Sequence, residues 1–375
     1  MFIVHVYDGF TESGEPTWQW IAFSGRSAAL FALLAGVGLA LSTKGLQRRG
    51  VSKRGVVQGV AVRAAIIAVI GFLLGGVNNP SPYPVYVILP FYALAFLAAV
   101  PFLWVRTLWL WASVGFFAVF GPVLVWMLSR VVPLSFDVNP SLIDAVTSPF
   151  ETLGYVVVSG IYPVPIFIAF VLAGMGLARF DLSSTAISGK IFASGVVTAL
   201  LGWVVSTAVV KAVDLPARLI DDLGLSVDDF DGTSLGYLLW QPIPFDGSAW
   251  TLLQRAPHSN TTFDLLIVGG SAVAILGLCL WVCRSAIAVH ATLPLRAAGS
   301  MPLSAYAVHI VMISIAGYVL TPAPLTVLTI ILIFGSAILI RTVAKHGPLE
   351  ALTAWAAKPR GSSAPEPRLQ STDQE

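Results

Sequence analysis

Among side chains able to move a proton near neutrality, histidine comes first, and this chain has five. His309 lies in the apolar run SMPLSAYAVHIVMISIAGYVL, three residues after Tyr306, so the two share a helix face. His5 lies in VHVYDGF, with Asp8 close behind, and His258 in RAPHSNTTFDLL, just ahead of an apolar run with Asp264 one residue inside it. A buried histidine can serve as a general base, or it can simply hydrogen-bond between helices. A loop histidine is commonly solvated and idle. His290 and His346 sit at the ends of other apolar runs and read as interfacial groups.

The second chemical candidate is Arg26, in AFSGRSAALFALLAGVGLAL. Within an apolar run an arginine either clamps an anion, snorkels to the headgroups or caps helix carbonyls. Asp8, Asp264 and Tyr162 are its expected partners. Tyr162 stands in SGIYPVP, where Pro163 and Pro165 interrupt an apolar run, and interrupted runs of this kind often line a cavity. No GxSxG, HExxH or Walker loop is present, and no metal set is expected. Cys279 and Cys283, one turn apart in an apolar run, read as buried packing thiols.

The elements that must hold these residues follow from composition. Of 375 residues, 57% are hydrophobic and 11% charged, with a mean hydropathy of +0.84. Soluble chains carry about 25% charged residues. The deficit excludes a water-soluble enzyme, a nucleic-acid binder and a disordered protein. Unbroken apolar runs of about twenty residues exclude a membrane β-barrel. The fold class is therefore all-α, a polytopic helical membrane protein. About nine spans are expected, over 19–42, 59–77, 84–104, 107–128, 155–177, 187–210, 263–285, 300–320 and 324–343.

Lys44, Arg48, Arg49, Lys53 and Arg54 crowd the first loop, and Arg106, Arg179, Lys190, Arg284, Arg296, Arg341 and Lys345 fall on its side. Asp214, Asp221, Asp222, Asp228, Asp229 and Asp231 fall on the other. The asymmetry predicts an external N-terminal segment and a cytoplasmic C-terminus. Residues 1–355 form the bundle, with external elements over 129–154 and 211–262, and 356–375 form a disordered cytoplasmic tail. MFIVHV is too short to span and has no signal-peptide pattern. It reads either as the end of a helix that begins earlier or as an interfacial segment. By depth, Arg26 lies about 10 Å from the outer surface and His309 about 14 Å from the inner one. A polar pocket of His5, Arg26, His258 and His309 is thus expected in the outer half of the bundle.

FSGRSAALFALLAGVGLALS with its basic loop, and SGIYPVPIFIAFVLAGMGLARFDL, resemble the heparan-α-glucosaminide N-acetyltransferase-like membrane family. LRAAGSMPLSAYAVHIVM and the closing GPLEAL are similar to related bacterial multi-pass families. The resemblance covers most of residues 1–355. Its relatives begin with a further span ending in an Asp-x-x-Arg-Gly-type stretch that this chain lacks, giving ten spans. The resemblance implies acyl-coenzyme A (acetyl-coenzyme A) as donor, bound from the cytoplasm, and an acceptor on the far side. It implies a histidine as acyl carrier or base, with His309 and His5 the nearest matches. A bacterial version would sit in the plasma (inner) membrane and act on an envelope sugar or lipid. A transporter or flippase of an anionic or amphiphilic molecule uses the same residues without covalent chemistry. A structural membrane protein whose polar residues only pack helices is a third reading; all three stay open at this point, and no oligomeric state follows from the sequence.

Overall fold

The computed structural model describes residues 1–222, 224, 239–243, 245, 248–344 and 346–358. It is all-α, as the composition demands. The helices are α1 (Phe2–Val6), α2 (Trp18–Phe23), α3 (Arg26–Arg48), α4 (Lys53–Asn78), α5 (Leu89–Ala99) and α6 (Thr107–Ser129). Then come α7 (Leu142–Thr147), α8 (Pro149–Gly154), α9 (Val164–Leu177), α10 (Thr185–Val213) and α11 (Leu215–Asp222). The last six are α12 (Thr262–Val282), α13 (Ala286–Ala291), α14 (Leu293–Gly299), α15 (Pro302–Ala316), α16 (Pro322–Val343) and α17 (Pro348–Ala356).

Six of these helical segments are long and apolar enough to cross a membrane, or up to eight if each of two bent pairs is one span. The first bent pair, α8 with its π-helical continuation and α9, turns by 62° at Gly160–Pro163. The second, α14 and α15, turns by 92° at Ser300–Met301. The remaining expected span, 84–104, begins later than its hydropathy suggests. Residues 84–88 are non-helical and helix starts only at Leu89, continuing to Trp104 as a 3-10 turn. Pro84 has no N–H to donate, and prolines disfavour helix in the residue before them.

α9 is the centre of the bundle, and nearly every residue along it is buried. A helix apolar on all sides belongs in a core. Around it stand α3, α5 and α6. α10, α6 and α16 turn large apolar side chains outward, among them Leu200, Leu201, Phe116 and Leu339. That outward apolar surface suits lipid tails.

Without a hydrophobic drive between helices in lipid, close backbone approach has to supply the packing. Gly174 of α9 lies on the Leu33 carbonyl of α3, and Gly36 of α3 on the Val171 carbonyl of α9, with no room for a β-carbon at either. Gly270 of α12 and Gly195 of α10 repeat the arrangement in the most extensive helix pair of the fold.

Short helices occur in both segments read as external structure. α7 and α8 fall in 129–154, and α11 in 211–262, where it buries Leu215, Leu219 and Ile220. Asp228, Asp229, Asp231, Lys345 and the tail from residue 359 lie outside the described residues. Cys279 and Cys283 are exposed, not buried as expected, because the last turns of α12 face outward. Apolar surroundings in sequence cannot tell core from lipid.

Candidate functional site

The first long apolar segment is broken at the point where Arg26 stands. α2 ends at Phe23, Gly25 takes a positive φ of 71°, and α3 starts at Arg26. The break leaves main-chain groups without helical partners. Arg26 Nη1 donates to the Ile21 carbonyl at 2.5 Å. From the other side, His258 Nε2 accepts the Gly25 N–H at 3.2 Å.

Asp264 is buried at the start of α12 and lies within electrostatic range of Arg26, although the two form no ion pair. Its Oδ2 accepts the Asn260 N–H at 3.1 Å, while Oδ1 has no partner among the described residues. Asp8 is exposed near the surface, and Tyr162 packs on His258 instead, ring centroids 5.5 Å apart. Arg26 therefore bonds none of its three expected partners and instead caps a main-chain carbonyl of the preceding helix. Burial pushes the His258 imidazole down to about 4. It is neutral at physiological pH, and its Nε2 lone pair is already engaged by Gly25.

His309, by contrast, pairs with His5. Nδ1 of His5 and Nε2 of His309 are 3.1 Å apart, so one of them carries the proton between the two. The rings are stacked, 5.3 Å between centroids and 12° between planes. Tyr306 sets its ring edge-on against His309 at 5.1 Å, as their spacing on α15 implies. The Tyr306 hydroxyl accepts the Ile88 N–H at 3.1 Å, which ties the start of α5 to this helix.

The expected four-residue pocket is thus two sites, His5 with His309 and Arg26 with His258. An unbroken chain of aromatic rings links them. It runs from Tyr306 through Phe31, Tyr92 and Phe167 to Tyr162, with successive centroids 5.1–6.2 Å apart.

Two cavities approach this aromatic layer. The larger, 740 Å³, starts at the end of the bundle that carries the 44–54 basic cluster, where Leu46, Val56 and Glu350 line it. It reaches Tyr92, Tyr306 and His309. The smaller, 230 Å³, lies among the loops at the other end, lined by Tyr86, Asp137, Ser159, His258 and Asn260.

Four residues that organise this region were not singled out from sequence. Asn78 accepts the Val85 N–H at 2.6 Å and donates to Ser314 Oγ at 3.0 Å. Asn139 accepts the Val87 N–H at 2.7 Å and donates to the Val85 carbonyl at 2.8 Å. Together they satisfy the buried non-helical backbone of residues 85–87, which would otherwise be costly inside a bundle. Glu350 of α17 accepts from Leu303 N–H (2.7 Å), Ser304 N–H (3.1 Å) and Ser304 Oγ (2.6 Å), capping α15 from a distant part of the chain. Arg63 of α4 lines the larger cavity beside it. Asn78 in NNPSPYP and Asn139 in DVNPSL, both near prolines, were a visible signal, and so was a charge inside the GPLEAL segment.

No family model, no curated protein and no solved structure matches this chain. The geometry of the two histidine sites therefore carries the functional reading.

Proposed function

We propose that the chain is a transmembrane acyltransferase that takes an acyl group from cytoplasmic acyl-coenzyme A and delivers it to an envelope sugar or lipid. One observation carries the reading, the 740 Å³ cavity that runs from the basic end of the bundle to His309, whose ring pairs with His5. A thioester entering by that route brings its carbonyl to the imidazoles. The attacking hydroxyl or amine forms the new bond to the acyl carbon as the carbon–sulfur bond breaks. An imidazole takes the acceptor's proton and returns it to the departing thiolate.

The 44–54 cluster favours a cytoplasmic mouth for this cavity and an external position for the smaller one. A cysteine placed at Ser52 should then react with an impermeant maleimide only after cells are opened. Labelling in intact cells would invert the orientation.

A run of touching aromatic rings between two cavities is also what an occluded transporter would have, and it favours transport as the second reading. Membranes holding the wild type or the His5→Ala, His309→Ala double variant should be given radiolabelled acetyl-coenzyme A. The proposal expects envelope acceptors to be labelled by the wild type and not by the variant. Equal labelling removes these histidines from the reaction, and no labelling by the wild type leaves transport as the better account.

A further inference from the structure

Arg63 is an exposed residue of α4, four residues inside the expected span 59–77, and it lines the 740 Å³ cavity. It has no hydrogen bond and no ion pair among the described residues. Among the described residues the acidic side chain acting on it is Glu350, which also lines the cavity. Glu350 is held in the α15 cap by hydrogen bonds at 2.6–3.1 Å and makes no ion pair with Arg63.

An arginine in an apolar helix takes a protein partner, a wet path or a route to the headgroups, and Arg63 has no protein partner among the described residues. A second group points to what the partner is. Thr43 of α3 is 5% exposed, lines the same cavity, and its hydroxyl has no hydrogen-bond partner among the described residues. Leu39, Val60 and Phe96 supply apolar wall beyond them. The cavity thus offers a cation, a free hydroxyl and a long apolar surface.

We infer that Arg63 and Thr43 form an oxyanion-binding site for the phosphate of an amphiphile whose apolar part lies along Leu39, Val60 and Phe96. The phosphate could belong to an acyl-coenzyme A or to a phospholipid headgroup. The inference rests on the cavity being a ligand site, as the proposed function has it, but not on acyl transfer.

Binding to the purified full chain in neutral-lipid nanodiscs should be measured with three probes: octanoyl-coenzyme A, a short-chain phosphatidylglycerol and inorganic phosphate. Arg63→Gln is expected to weaken the amphiphilic anion at least tenfold, with Arg63→Lys and Thr43→Val intermediate. A neutral short-chain diacylglycerol should bind all four proteins alike, which separates loss of the anion site from loss of the fold. Raising salt should weaken wild-type binding and not Arg63→Gln. Tight binding of octanoyl-coenzyme A alone assigns the phosphate to the donor, and of phosphatidylglycerol alone to lipid. Tight binding of neither amphiphile by the wild type, or the same affinity in Arg63→Gln, overturns the inference. Anion binding without any labelling of acceptors would leave it standing while the acyl-transfer reading fails.

Discussion

Glu350→Ala tests whether the helix after the last long span holds α15, and with it His309, in place. Pro302 opens α15, and Met301 at its N-cap supplies no side-chain hydrogen bond. Capping falls to Glu350 instead, through Leu303 N–H, Ser304 N–H and Ser304 Oγ. Hydrogen bonds to a charged group contribute about 1.5–3 kcal/mol each, and bonds sharing one carboxylate are not additive. Loss of an ordinary N-cap costs about 1 kcal/mol. The alanine variant should therefore lose about 3 kcal/mol. Glu350→Gln keeps one carbonyl oxygen as acceptor but turns an amide N–H₂ toward the remaining donor, so it should lose roughly half as much. Reversible unfolding in mixed detergent micelles, followed by tryptophan fluorescence, reads both values. An alanine variant within about 0.5 kcal/mol of wild type would refute the capping argument, that being the usual range for a neutral surface change. A glutamine variant as damaged as alanine would assign the effect to charge alone.

Asn78→Ala should cost about 1–3 kcal/mol in the same assay, because the Val85 N–H then has no acceptor inside the bundle. Gly174→Ala should destabilise by about 1–3 kcal/mol, since its β-carbon would meet the Leu33 backbone, whereas Gly38→Ala, at an exposed position of α3 with open space around it, should be neutral or gain about 0.5–1 kcal/mol. A loss at Gly38 as large as at Gly174 would contradict the close-approach account. His258 gives a pH dependence with a definite sign. Its folded value is depressed to about 4, below the ordinary 6.5, so the unfolded chain binds the proton first. Its contribution to stability is constant above about pH 6.5 and is lost as pH falls toward 4, by at most about 3 kcal/mol. His258→Gln should flatten that part of the pH–stability curve, and an unchanged slope would show that other groups produce it.

The sequence alone determined the solvent of this protein. A charge content of 11% with repeated apolar runs leaves only a helical membrane bundle, and most helices fall where those runs lie. It also pointed to His5, His309, Tyr306 and Tyr162, because a polar side chain within an apolar run stands out whatever the fold. Tyr306 and His309 were legible as a pair, since three residues on one helix fix their relative position.

What the sequence could not decide is every relation across the chain. His5 and His309 are 304 residues apart, and only the packing of α1 beside α15 makes them neighbours. The same holds for Glu350 of α17, which caps α15, and for Asn139, which bonds the non-helical backbone of residues 85–87. Each is a side chain serving distant main-chain groups that have lost their local partners, and no local pattern records which groups those are. Apolar periodicity failed for a related reason. In a bilayer both the core and the outside are apolar, so hydrophobicity marked Cys279 and Cys283 as buried when they face outward. Burial in this fold is decided instead by where a backbone can approach closely, as Gly36 and Gly174 do, and that is a property of two helices together.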